Sequence, residues 1–255
     1  MTGTVTLVGA GPGDPELLTF KAARAIERAT VLLVDDLVSD GVLAFANANA
    51  RVIHVGKRGG CASTPQAFID KLMLAEALKG ESVVRLKGGD PFMFGRGGEE
   101  ADRLRAHGVS VDVVSGITSG MAAAAALSVP LTHRDHAHGV IFVTGHARAD
   151  GVALDWPTLG AAAAQGLTLV IYMGVTAIDL LSHGLLQTLP GATPAAVVQH
   201  ASLPQQRVLS CTLATLASSV LDGRTSGRIG SPAIVIVGNV LQGLQGLARP
   251  ETRAA

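Results

Sequence analysis

Short runs of β-branched and aliphatic residues alternate along this chain with stretches of helical spacing, and that alternation restricts the fold more than any other feature. Residues 4–8, 30–34, 51–55, 82–86 and 109–114 read as strands. Residues 16–29, 65–78 and 99–107 read as helices between them, the second with Pro65 near its start, where a missing N–H costs little. Strand, helix, strand repeated in this way predicts an α/β fold with a mainly parallel sheet covered on both faces. The pattern resumes further on. Residues 119–127, 175–186 and 215–221 read as helices, and 140–143, 167–172, 195–199, 207–212 and 233–237 as strands. The short turn before residue 207 predicts an antiparallel element in a second, mixed sheet. Ser115-Gly116-Ile117-Thr118 is the expected boundary, giving an N-terminal α/β domain over 1–115, a C-terminal α/β domain over 116–245 and a frayed tail over 246–255.

Composition excludes several function classes. Of 255 residues, 48% are hydrophobic and 16% charged, which is the balance of a packed globular protein. Lys plus Arg equals Asp plus Glu at 20 each, so no basic surface for bulk nucleic-acid binding is expected, although a local cationic pocket is allowed. Cys61 and Cys211 stand apart without a CxxC pattern, so neither a disulfide framework nor a zinc site is expected. The N-terminus has no basic segment leading into an apolar stretch, and apolar runs such as 121–127 are too short to span a bilayer. A soluble, cytoplasmic protein without membrane attachment is the expectation.

Three segments concentrate chemistry. Gly9-Ala10-Gly11-Pro12-Gly13-Asp14-Pro15 follows the first strand, where dinucleotide folds carry their phosphate turn. Pro12 interrupts the glycines, and Asp14 sets a negative charge where a pyrophosphate would need a positive dipole. A tight turn walling a ligand site at the carboxyl edge of the sheet is the alternative. Residues 85–100 hold five glycines, the cations Arg85, Lys87 and Arg96, the carboxylates Asp90, Glu99 and Glu100, and the apolar trio Phe92, Met93 and Phe94. This mixture reads as a binding loop that a ligand can approach closely, against the plainer possibility of a surface loop with solvated charges. Residues 130–138 hold His133, His136 and His138 with Arg134; no Cys or Glu joins them, so a surface that binds carboxylates is favoured over a metal site. Lys57 and Arg58 add cations after the third strand, and Asp35 and Asp36 place carboxylates after the second. Met173, at the end of a buried strand, suits either core packing or an apolar wall for a ring.

Together these segments resemble the uroporphyrinogen-III C-methyltransferase family, within the tetrapyrrole methylases. The likeness rests on VGAGPGDPELLT (8–19), VGKR (55–58), RLKGGDPFMFGRGGEE (85–100), GITS (116–119), PLTHRD (130–135), TGH (144–146), YMG (172–174) and SPAIVIVG (231–238), and runs over nearly the whole chain. GGDP alone marks the wider superfamily; its extension through GRGGEE, followed by PLTHRD, is more specific. The resemblance implies two α/β domains of the class III methyltransferase type with the methyl donor, S-adenosylmethionine, in a cleft between them, no metal, and a homodimer. It implies donor contacts at Pro12, Gly88, Gly89, Asp90, Met93, Thr118, Ser119, Met173 and Ala201. It implies acid–base roles for Asp35 and Lys57, catalysis involving Arg96, and a tetrapyrrole facing Arg96, Glu99, Arg134 and Met173. The donor would leave as S-adenosylhomocysteine after in-line transfer to ring carbons C2 and C7, giving precorrin-2 by way of precorrin-1, on the route to sirohaem or cobalamin. Asp35, Arg96 and water are all open as the group that receives the ring proton. The chain departs from the family pattern at Asp36, where an arginine is frequent, and at Ala201, within a segment that usually reads Glu-x-Gly-Thr.

Overall fold

The computed structural model of the chain describes residues 2–56, 64–146, 154–227 and 229–246. It divides into two compact units, Met1–Ser119 and Gly120–Ala255.

The first unit is an alternating α/β layer structure. Its elements are β1 (Thr4–Gly9), α1 (Phe20–Arg28), β2 (Val31–Val34), α2 (Asp40–Leu43), β3 (Arg51–His54), α3 (Gln66–Leu78), β4 (Ser82–Lys87), α4 (Gly97–Ala106) and β5 (Ser110–Val114). The five strands form one sheet in the order β3-β2-β4-β1-β5, every described pairing parallel. β1 lies inside the sheet, with Thr4 opposite Ser82 on one side and Ser110 on the other. Both faces are covered, so the inner strands read as continuous apolar runs. Val8, Leu32, Val34, Val84 and Leu86 pack with Ala22 and Ile26 of α1. Val5, Leu7, Val31, Leu33 and Val83 pack with Ile69 and Met73 of α3 and Leu104 of α4. Each buried Val, Leu, Ile or Met side chain among them contributes roughly 1.5–3 kcal/mol.

The helix expected over 16–29 is broken in two. Asp14 accepts the Glu16 N–H at 2.9 Å and caps a short 3-10 turn, Pro15–Leu17. Thr19 then caps α1 by accepting the Ala22 N–H at 3.1 Å. Short polar side chains that bond nearby N–H groups restart a helix rather than continue it.

The second unit contains most of α5 (Ser119–Ala126), then β6 (Gly139–Thr144), α6 (Trp156–Ala164), β7 (Leu167–Tyr172), α7 (Ile178–Leu185), β8 (Pro194–Gln199), β9 (Arg207–Thr212), α8 (Leu213–Thr225) and β10 (Ala233–Val237). Its sheet runs β6-β7-β10-β8-β9. β6 and β7 are parallel, and the other three pairings, including the β8–β9 hairpin, are antiparallel. Leu169, Ile171, Val197, Val235 and Val237 form a core with Trp156, Ile178, Leu181, Leu213 and Leu216. α8 is longer than its expected span, because Thr212 and Thr215 form a capping box that starts it two residues earlier than the apolar spacing suggests. α6 is an addition to the expected elements. Its alanines give no periodic contrast, yet Asp155 caps it by accepting the Thr158 N–H at 3.1 Å. The expected tail beyond residue 246 lies outside the described residues. Among the described residues, no helix is long and apolar enough to cross a membrane.

Candidate active site

In open parallel sheets ligands settle where two neighbouring strands send their connections in opposite directions. In the first unit that pair is β1 and β4. β1 leads to β2 on one side, whereas β4 leads to β5 on the other. The two glycine-rich segments singled out in the sequence follow these two strands, and they are knitted together. Ala10 donates its N–H to the Lys87 carbonyl at 2.8 Å, and Gly11 and Gly89 exchange N–H···O bonds of 3.1 and 2.7 Å. The turn after β5 joins them. A Cβ on Gly116 would lie 2.3 Å from the Gly89 carbonyl oxygen, so only bare backbone fits there. Gly89 itself has φ +70, a left-handed conformation that glycine takes without strain.

Asp90 holds this crossing in shape. Its Oδ1 accepts the Phe92 N–H at 2.8 Å and its Oδ2 the Gly116 N–H at 3.1 Å. Pro12, Gly88, Asp90, Met93 and Ser119 are partly exposed around it, and Thr118 is buried. Of the sequence-derived residues, Pro12, Gly88, Gly89, Asp90, Thr118 and Ser119 therefore come together at one sheet edge.

Arg96 sits at the entry to α4 with φ 59. Its guanidinium makes a two-pronged pair with Glu99, at 3.2 and 2.7 Å, which holds its proton still more firmly. Both side chains are about half exposed. Asp35 follows β2. Its Oδ1 accepts the Asp36 N–H at 3.0 Å and its Oδ2 faces Arg85 at 3.2 Å. Lys57 and Arg58 lie outside the described residues, as does Cys61.

In the second unit Met173 follows β7, exposed and at φ 54, which rules out core packing for its side chain. Ala201 is buried between His200 at φ 51 and Ser202 at φ 72. Arg134 is exposed in a turn where His133 donates its N–H to the Ala137 carbonyl at 2.8 Å. The His133 and His136 rings stack at 4.6 Å, and among the described residues no group of three His, Cys, Asp or Glu is placed to hold a metal ion. Cys211 is no ready nucleophile, since burial pushes its thiol up to about 11.

Left-handed backbone at a residue other than glycine costs roughly 1–2 kcal/mol. Among the described residues it occurs at Phe94, Arg96, Ser128, Met173, His200 and Ser202. Arg96 and Met173 are sequence-derived site residues, Phe94 adjoins another, and His200 and Ser202 flank Ala201. Strain of this kind collects at functional sites.

Arg85 and Glu100 lie in the strand and helix expected over 82–86 and 99–107, whereas Lys87, just past the expected strand, extends it. All three are buried. Burial, with the Arg85 charge beside it, holds the Lys87 ammonium below its ordinary value despite the neighbouring Glu100 and Asp35. Sequence reasoning did not foresee that Arg85 and Glu100 are enclosed together beside Asp35. The available signal was the pair of cations two residues apart in a strand otherwise apolar enough to be covered on both faces.

Residues 4–217 match the profile of the tetrapyrrole (corrin/porphyrin) methylases. The chain is 49% identical over 243 residues to a uroporphyrinogen-III C-methyltransferase of Pseudomonas aeruginosa, covering 94% of this chain and 95% of that one. It is 45% identical to a siroheme synthase of Nitrosomonas europaea, where 97% of this chain spans about half of the longer protein, 51%. The crystal structure of uroporphyrin-III C-methyl transferase from Thermus thermophilus, complexed with S-adenosyl homocysteine, superposes with a TM-score of 0.76 at 39% identity, over 94% of this chain and 100% of that one.

Proposed function

Because the chain belongs to the tetrapyrrole methylase family, we propose that it transfers methyl groups from S-adenosylmethionine to C2 and C7 of uroporphyrinogen III, through precorrin-1 to precorrin-2. This chemistry serves sirohaem- and cobalamin-type tetrapyrrole synthesis. The observation that carries the reading is the bare-backbone crossing of Gly11, Gly89 and Gly116 at the switch point of the first sheet.

That crossing fits the donor. Amino-acid and ribose groups need backbone donors and acceptors at close approach, which Gly88 and Gly89 offer without side chains. Asp90 keeps the loop open by tying its ends, and each of its oxygens retains a lone pair for a ligand N–H or O–H. Pro12, Met93, Thr118 and Ser119 complete the proposed donor contacts in this unit, and Met173 and Ala201 are proposed as further ones on the family resemblance. When bound, S-adenosylmethionine supplies an electrophilic methyl group and departs as S-adenosylhomocysteine. The chain's own contribution is orientation, which is worth several powers of ten for a displacement of this kind.

The acceptor is a polycarboxylate, so cations must meet it. Arg96 and Arg134 are exposed and charged. Glu99 holds Arg96 in an exposed ion pair, worth about 0–1 kcal/mol, so a substrate carboxylate can replace it at little cost. The methylated ring then loses a proton. Asp35 is the proposed base, with a side chain 35% exposed and both oxygens oriented. Lys57 is the proposed acid. A homodimer in the cytoplasm is the proposed state of the protein.

The test is methyl transfer with a mass readout. Incubation with uroporphyrinogen III and S-adenosylmethionine should yield a product heavier by two methyl groups. A product with one added methyl group, or none, would overturn the reading.

A further inference from the structure

The interior of the first unit holds charge that its packing does not require. On the face covered by α3 and α4, the strands change character towards the carboxyl edge. Val31 and Leu33 of β2 are followed by Asp35, and Val83 of β4 by Arg85 and Lys87. The two-residue period puts each set on one face. Glu100 projects from α4 onto the same face and is fully enclosed. Arg85 Nε donates to Glu100 Oε1 at 3.3 Å, Nη1 to the Leu86 carbonyl at 3.1 Å and Nη2 to Asp35 Oδ2 at 3.2 Å. Lys87 Nζ and Gln66 Nε2 also donate to Glu100, at 3.1 and 2.9 Å. Asp35 is the charged member of this set that reaches the surface.

Stability alone is a poor reason for such a network, because apolar residues of similar volume are often as stable or more so. A guanidinium fork locked by a buried carboxylate does what an apolar cluster cannot: it presents three donors in fixed directions, one of them at Asp35. We infer that Arg85, itself oriented by Glu100, is a positioning residue that fixes the Asp35 carboxylate for removal of the ring proton. The inference rests on the reading of Asp35 as the base and adds the device that sets its geometry.

Arg85→Lys keeps the buried positive charge and removes the fork. It should lower kcat roughly ten- to hundredfold, the scale of a misplaced catalytic group. KM for the donor and the calorimetric affinity for S-adenosylhomocysteine should stay within about twofold, because the donor contacts are untouched. The same substitution in an Asp35→Asn background should change kcat by less than about twofold, since a residue acting through Asp35 has nothing left to act on. Glu100→Gln, which keeps the shape, repeats the cycle with the same expected pattern. An equal loss in both backgrounds overturns the inference and leaves the base assignment standing. Wild-type turnover in Asp35→Asn overturns both.

Discussion

Two ion clusters sit at opposite ends of the first sheet, and they are built differently. At the amino end, Glu76 of α3 is buried and takes hydrogen bonds from Arg51 and Lys79. Its two cations remain 51% and 60% exposed. At the carboxyl end, Arg85, Lys87 and Glu100 are buried together, and only Asp35 reaches outward. The first arrangement tucks one charge under the rim and leaves its partners in water, where they can relax if the pair breaks. The second surrenders the hydration of three charges, so each depends on the others being present. The costly cluster lies beside the strand ends that carry the candidate site, and the cheap one lies away from them. The contrast accords with the inference that the enclosed cluster serves to position Asp35.

Removing Glu100 attacks that contrast most directly. Glu100→Ala strands two buried cations and should cost about 3–5 kcal/mol in a denaturant titration. Glu76→Gln should be much milder, lowering the melting temperature by less than about 4 °C, because its partners are already solvated. Its turnover per folded molecule should match the wild type. Comparable losses from the two variants would erase the distinction between the clusters.

The smallest expected effects are in pH dependence, and they have opposite windows. Hydrogen bonds from Lys79 and Arg51 hold the Glu76 carboxyl below its ordinary value. A lowered carboxylate adds stability above that ordinary value and loses it as pH falls through the lowered one. Burial holds Lys87 below its ordinary 10.5, so the unfolded chain binds the extra proton between the two values and stability rises with pH there. Denaturant midpoints measured against pH should therefore lose part of their acid slope in Glu76→Gln and part of their alkaline rise in Lys87→Met. Curves parallel to the wild type in both variants would show that neither cluster differs between folded and unfolded chains.

The strands were legible because inner strands covered on both faces must be apolar along their length, and β2, the start of β4, β7 and β10 are. The antiparallel hairpin of β8 and β9 was legible from its short turn. Less legible were α2, too short to show a period, α6, whose alanines carry no contrast, and the break before α1, which depends on the Thr19 hydroxyl finding the Ala22 N–H. The glycine crossing could be placed at the sheet edge from its position after two strands. Its mutual bridging could not, because Gly11, Gly89 and Gly116 come from three separate turns.

The sequence by itself determined which stretches are strands, that the first sheet is parallel, and which motifs mark the family, because periodicity and motif order are properties of the chain read along its length. Only the tertiary structure decided which charges are solvated and which are enclosed. Asp35 and Arg85 are fifty residues apart, and nothing local to either shows that the fold sets them 3.2 Å from one another. Enclosure depends on what packs above a side chain, and here that is Glu100 on a helix the strand reaches only through the loop after it.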